Sequence, residues 1–347
     1  MKTKNGLVKR TIGIVAIPLA TFIILTILCA TEGTLILNGN KQYVDFLKSV
    51  ASVMFTTFAL SINLNSGRFD FSIGSIALVS SIISSTICMK YGLTSPVMLA
   101  ISIGVGACLG LFSGLVYVIV KLPPIIVSLG MALFYEGLAF NITGGYGVSI
   151  GATYKETLLS FPSVLNFLLL IIGGLVVIIF LFDRTKFGFN YKALMSGQKV
   201  AVNTGIKEVP NALGCYAIAG MCMGVVGFIA ATSTGNIRMA LNFGSIGTMF
   251  TAFLPMFIGG FIGRFCNEKI GYLLGAVTTG LISQGYARLK VDNDVQQITT
   301  ALILVCFLIY LNNENKIQSL FRCIGGNPKK ADEASVENIE ETPQVNG

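Results

Sequence analysis

The chain has 347 residues, 53% of them hydrophobic and 12% charged, with a mean hydropathy of +0.77 and a net charge of +8. That balance excludes a soluble globular domain and describes an integral membrane protein. The absence of histidine excludes HExxH metal sites, histidine-based triads and histidine proton relays, and without a Gly-Lys dipeptide there is no P-loop for ATP.

A hydrocarbon core about 30 Å thick takes roughly 20 helical residues to cross. The apolar run Thr11–Cys29 follows a basic start, MKTKNGLVKR. It is too long for a signal-peptide core and no small-x-small cleavage site follows, while Leu28 stands where a lipoprotein site before Cys29 needs a small residue. It is expected to be the first anchored helix. The remaining apolar runs extend the series, giving spans over 11–30, 46–63, 71–88, 96–119, 124–142, 164–182, 210–232, 246–262, 270–287 and 296–311.

The expected fold class is therefore all-α integral membrane: a polytopic bundle of about ten transmembrane helices, some broken or short. Residues 1–10 form an N-terminal segment, 11–311 the transmembrane domain and 312–347 a tail. Residues 331–347 hold five acidic residues and no basic ones and are expected to be disordered. With both termini cytoplasmic, 17 of the 24 lysines and arginines fall in inner segments. The basic balance is then a topology signal, and no nucleic-acid partner is needed to explain it.

Eight cysteines show no CxxC or other ligand spacing, and Cys88, Cys108, Cys215, Cys222 and Cys306 lie within spans, so free buried thiols are expected. Gly106, Gly110 and Gly114 recur every four residues, as do Gly220 with Gly224 and Gly271 with Gly275. Close backbone approach follows, within one bundle or across a dimer seam. Ser80, Ser81, Ser84, Ser85 and Thr86 are expected to bond their own helix backbone, a polar pore lining being the other reading.

The segment Ser66–Ser75, SGRFDFSIGS, places an arginine and an aspartate in a stretch otherwise oily from Phe46 to Met89. Charge without a partner is costly there. Asp70 suits a helix start, where its carboxylate accepts from first-turn amides at the positive dipole end, and Gly67 permits a tight backbone just before it. Two readings stand: a cap at a short inner loop, or a helix beginning inside the membrane where protein or a water-filled cavity covers it.

Ser66–Ser75 resembles the Ser-Gly-Gly-Ile-Asp-Leu-Ser-Val-Gly-Ser pattern of the sugar-type permease subunits of bacterial ABC importers, the ribose permease group. Further matches follow in order: Ile126-Val-Ser-Leu-Gly-Met131, Gly137-Leu-Ala and Thr143-Gly-Gly145; the stretch Gly188–Ile206 with Tyr191, Gly197, Ala201, Gly205 and Ile206; and Ile258-Gly-Gly260 with Leu274-Gly-Ala276. Together they run from about residue 50 to 310. The related branched-chain amino acid permeases differ at the Asp motif, which favours sugar.

The resemblance implies a non-enzymatic permease subunit in the bacterial inner membrane that moves a monosaccharide or similar small polyol. Its implied partners are a second permease subunit, identical or different, cytosolic ATPase subunits that bring ATP and magnesium, and an extracytoplasmic sugar-binding protein, with lipid around the bundle. It implies no cofactor, metal or catalytic residue in this chain. The loop at about 187–210 is then the coupling loop, with Gln198, Lys199, Val200, Ala201, Gly205 and Ile206 at the ATPase.

Motif and path residues are Gly67, Arg68, Phe69, Asp70, Ser72, Gly74, Glu136, Asn141 and Gln284. Phe134, Tyr135 and Phe243 are further candidates for sugar contact. The outer loops Gly33–Asp45, Gly144–Phe161 and Thr234–Phe243 are expected to receive the binding protein, with Asn236, Arg238 and Asn242 as polar contacts.

Departures from the pattern are Arg68 for its second glycine, Glu136 for a common arginine, and Gln198-Lys199 for a pair that is often acidic. Arg68 is expected to pair with Glu136 or with Asp70. A secondary, ion-coupled transporter of small polar solutes is the alternative function, although few carboxylates lie within the spans.

Overall fold

A computed structural model describes residues 2–151 and 154–313. The tail expectation for 314–347 lies outside the described residues. In chain order the long helices are α1 (Lys2–Thr31), α2 (Asn40–Asn65), α3 (Ile73–Tyr91), α4 (Ser95–Val120) and α5 (Pro124–Thr143). Four-residue α6 (Lys155–Leu158) precedes α7 (Val164–Arg184), and α8 (Lys186–Ser196) and α9 (Gln198–Asn203) lead to α10 (Glu208–Thr234). A 3₁₀ turn at Gly244–Ile246, α11 (Gly247–Phe250) and α12 (Phe253–Gly263) precede α13 (Glu268–Arg288) and α14 (Asn293–Asn312).

Side-chain oxygens begin several of these helices: Ser163 accepts the Asn166 amide at α7, and Asn267 accepts the Lys269 amide at α13. Every expected span falls on helix, but nine stretches among the described residues are both long and apolar enough to cross a membrane. The expected span 270–287 is α13, which has the length yet carries Thr278, Thr279, Gln284 and Arg288. It packs against α1, α2 and α12. The expected short span 246–262 is broken, its 3₁₀ turn and α11 giving way to α12 near Thr251 and Ala252.

Two compact units divide the chain at Val291, and the second contains α14. In α14, Val295, Ile298, Leu302, Val305 and Ile309 are exposed at helical spacing. In the first unit α10 is central and packs against α2, α3 and α4. Phe58, Met54, Ile73, Ile76, Tyr135, Phe167 and Phe228 are among its largest fully buried side chains.

The recurring glycines pack helices within the chain. A Cβ on Gly106 would lie 2.2 Å from the Gly220 carbonyl oxygen, and one on Gly110 would lie 2.2 Å from that of Tyr216. Gly271 and Gly275 bring α13 onto α12 in the same way, against Gly259 and Pro255. Between helices in lipid, where apolar burial supplies little drive, such contact gains dispersion over a long seam.

The hydroxyls of Ser81, Ser84, Ser85 and Thr86 do bond carbonyls of their own helix, whereas the buried Ser80 hydroxyl finds no partner. The described cysteines are free, but Cys108 and Cys306 are exposed rather than buried. The loops after α5 and α10 meet in one small antiparallel ladder among the described residues, β1 (Val148–Ser149) with β2 (Asn236–Ile237).

A Cβ on Gly220 would lie 2.1 Å from the Gly106 carbonyl oxygen, and one on Gly104 of the same partner helix meets nothing within 4 Å. Gly220→Ala is expected to destabilise the bundle by about 1–3 kcal/mol, while Gly104→Ala is neutral or mildly stabilising. Thermal unfolding of the two variants in detergent checks the contrast.

Candidate functional site

Helix α2 ends in a Schellman motif. Gly67 adopts φ +74°, its amide donates to the Leu64 carbonyl, and the Arg68 amide donates to the Asn63 carbonyl, both at 2.9 Å. The chain reverses there and reaches Asp70 in three residues. One Asp70 oxygen accepts the Ser72 amide (2.9 Å) and hydroxyl (2.7 Å), and the other accepts the Asn63 side-chain amide (3.1 Å). A single carboxylate thus caps the start of α3 and ties it to the end of α2. Asp70 is 2% exposed.

The polar chain continues inward. Ser72 Oγ lies 3.4 Å from Ser113 Oγ on α4, Ser113 bonds the Tyr135 hydroxyl at 2.9 Å, and that hydroxyl donates to the Leu109 carbonyl at 2.6 Å. Tyr135 is accordingly a buried link in this network. At the second residue of α3, Gly74 meets the broken helix: a Cβ there would lie 2.0 Å from the Ser245 carbonyl oxygen.

Ser245 is held in turn by Glu136, which is 1% exposed. Glu136 accepts the Phe243 amide at 3.0 Å, the Ser245 amide at 2.9 Å and the Ser245 hydroxyl at 2.6 Å. It therefore satisfies the free amides at the start of a second helix, directly after Asn242 and Phe243 at positive φ.

Arg68 pairs with neither expected carboxylate. Its Nη2 lies 3.7 Å from Glu208 Oε1, at the first residue of α10. Glu136 and Asp70 are already engaged with amide and hydroxyl donors. Glu136 also stands twelve residues into its helix, a rise of about 18 Å, far from the loop that carries Arg68. Glu208 was invisible to a search for charge inside spans because it sits at a span's edge.

Phe69 belongs to a ladder of rings, lying 4.7 Å from Phe71 and 6.0 Å from Phe253 between centroids. Phe250 extends it, 6.3 Å from Phe71 and 5.9 Å from Phe253, and Phe257 lies 6.2 Å from Phe253. None of these four other rings was singled out from the sequence, although 250, 253 and 257 share a helical face. Of the remaining candidates, Phe134, Asn141 and Phe243 are exposed, and Gln284 is buried on α13. Asn236, Arg238 and Asn242 are exposed between α10 and the 3₁₀ turn.

The segment Lys186–Ile206 is fastened at one end and free at the other. The Tyr191 hydroxyl donates to the Ile62 carbonyl at 3.1 Å, and burial pushes its pKa up, keeping it a neutral donor. Lys192 pairs with Asp183 at 2.6 Å, and the Asn211 side chain donates to the Phe187 carbonyl. Helix α9 closes on Gly205 at φ +92°, whose amide bonds the Val202 carbonyl while that of Ile206 bonds Ala201. Ala201 is buried, Gln198 and Lys199 are exposed, and Val200 is 70% exposed.

Residues 46–311 match the family described as branched-chain amino acid transport system / permease component. The chain belongs to that family. It is a multi-pass membrane permease component. Among its relatives is the galactofuranose transporter permease protein of Escherichia coli K12, 25% identical over 77% of this chain and 78% of the relative. The D-allose transport system permease protein of the same organism is 26% identical over 82% of this chain and 88% of its own. An autoinducer 2 import system permease protein of Photorhabdus luminescens is 26% identical over 70% and 73%. No solved structure matches. These comparisons uphold the resemblance to sugar-type permease subunits.

Asp70→Asn keeps an acceptor for the Ser72 amide, whereas Asp70→Ala removes it and is expected to cost about 1–2 kcal/mol. Glu136→Ala leaves three donors unmet and is expected to raise hydrogen exchange at Phe243 and Ser245. Detergent unfolding and amide exchange read these outcomes.

Proposed function

We propose that this chain is the permease subunit of an ATP-binding-cassette importer in the bacterial inner membrane, forming the path for a monosaccharide or similar small polyol. An extracytoplasmic binding protein delivers the substrate, and separate ATPase subunits hydrolyse ATP. The carrying observation is the ordered family match over residues 46–311 together with relatives named for sugars. Geometry adds support. The half-buried rings of Phe69, Phe71 and Phe253 stand beside the Asp70 turn, and aromatic faces beside fixed polar groups suit a sugar, whose C–H faces stack while its hydroxyls bond.

Helix α9 is the docking element for the ATPase. It offers Gln198, Lys199, Val200 and Val202 outward while Ala201 packs inward, which suits a short helix seated in a partner's cleft. Closure of the ATPase pair moves α9, and the bundle rocks between outward-open and inward-open states. A second permease subunit completes the path.

The test is retention of labelled galactose, allose, arabinose, ribose, fructose and leucine by the cognate extracytoplasmic binding protein, followed by uptake into proteoliposomes. A monosaccharide is expected to bind and to enter only with ATP; leucine as the bound solute, or uptake driven by an ion gradient alone, overturns the reading. Phe253→Ala is expected to lower uptake several-fold without loss of folded protein. Lys199→Glu and Gly205→Val are expected to lower sugar carried per ATP hydrolysed by about tenfold, read from paired uptake and phosphate-release assays.

A further inference from the structure

Among the described residues the buried charged side chains are Arg68, Asp70 and Glu136. The two carboxylates are satisfied by hydrogen bonds. Arg68 differs: it is 4% exposed, its Nε and Nη1 are buried without a hydrogen-bond partner, and its ion pair reaches out to Glu208, whose side chain is 34% exposed. The Cys215 thiol beside the guanidinium is a weak acceptor and does not replace a full partner. A half-satisfied buried guanidinium costs free energy that an apolar side chain would not, so stability alone does not account for it.

We propose that Arg68 and Glu208 form a positioning latch that ties the segment carrying α9 to the Asp70 turn, so that movement of α9 reaches the start of α3. The latch deepens the importer reading and rests on it. Glu208 follows Gly205, the last turn of the α9 segment, by three residues. Arg68 precedes Asp70 by two, with Phe69 of the ring ladder between them. A displacement of Glu208 therefore pulls on the same short turn that holds the α3 cap and a ring of the ladder.

A second tie lands on the same place. Tyr191, upstream of α9, donates to Ile62 in the last turn of α2, so the α9 segment grips that helix end from both of its flanks. The turn also has unused bonding capacity, since Asn63 Oδ1 is a buried acceptor without a partner and Arg68 Nε and Nη1 are buried donors without one. Those groups supply the bonds of a second arrangement of the turn, which a two-state relay needs.

The test uses the whole transporter, this chain with its ATPase subunits in liposomes, and needs no sugar. Phe71→Cys in an otherwise cysteine-free chain reports on the ring ladder through its rate of alkylation by N-ethylmaleimide, with and without MgATP and vanadate. The parent is expected to show a nucleotide-dependent change in rate. Glu208→Gln is expected to shrink that change about tenfold while the ATPase subunits stay bound and continue to hydrolyse ATP. Glu208→Asp, which keeps the charge, is expected to retain most of it.

Being on the exposed side of the pair, Glu208 is substituted without emptying a buried site. An undiminished response in Glu208→Gln overturns the latch, as does equal loss in the Gln and Asp variants, which would make the charge irrelevant. Dissociation of the ATPase from the Glu208→Gln complex also overturns it, by making Glu208 a docking residue. No nucleotide response in the parent complex overturns the importer reading itself, and the latch falls with it.

Discussion

Buried helix ends cannot be left bare, and the Asp70 carboxylate is where this chain meets that constraint. Four amides at each helix start lack a partner within the helix, and around a side chain 2% exposed water is not freely available to take them. Asp70 takes the Ser72 amide and hydroxyl with one oxygen and Asn63 with the other, so the end of α2 and the start of α3 share one anion. Remove that anion and two helices lose their junction at once. Glu136 solves the same problem for the broken helix after Phe243, from a different helix and with both oxygens in use.

Those two solutions are joined by glycine. Gly74 lets α3 lie against the carbonyl of Ser245, the residue whose amide Glu136 holds. Two capped helix starts are thereby placed backbone to backbone. The Gly106–Gly220 seam uses the same device on a longer scale, bringing α4 close enough to α10 for the Ser102 hydroxyl to donate to the Gly224 carbonyl at 2.7 Å. In both places an added methyl group would force the backbones apart, and at the longer seam the Ser102–Gly224 hydrogen bond would be lost with the packing.

Much of this was legible in the sequence because a membrane leaves a chain few choices. The apolar ruler found the helices, and α13 was readable as a helix even though its polar content sets it apart from the nine described stretches long and apolar enough to cross a membrane. Asp70 was readable as a cap because Asp, Gly and a following helical run make a local signal. Glu208 was not, since an acidic residue at a helix start is ordinary and nothing in its neighbourhood points back 140 positions to Arg68. The ring ladder was half legible. Phe69 stood inside a recognisable motif, whereas Phe250, Phe253 and Phe257 had only their spacing, which core packing produces just as readily.

Arg68 and Glu136 both depart from the family pattern, and a shared salt bridge would have explained them together most economically. The structure separates them, and the separation has a physical logic. A carboxylate can be satisfied in place by amides, because a helix start supplies two or three donors within reach and a favourable dipole. A guanidinium has five donors and no acceptor of its own, and carbonyls in helices are already used. A buried arginine must therefore reach outward for an acid, and the nearest one available here stands at the edge of α10. Glu136 could consequently be absorbed into the fold, while Arg68 joins the interior turn to the segment that leads from α9 into α10. Of the two departures, the cation is the one whose ion pair joins the α2–α3 turn to the start of α10.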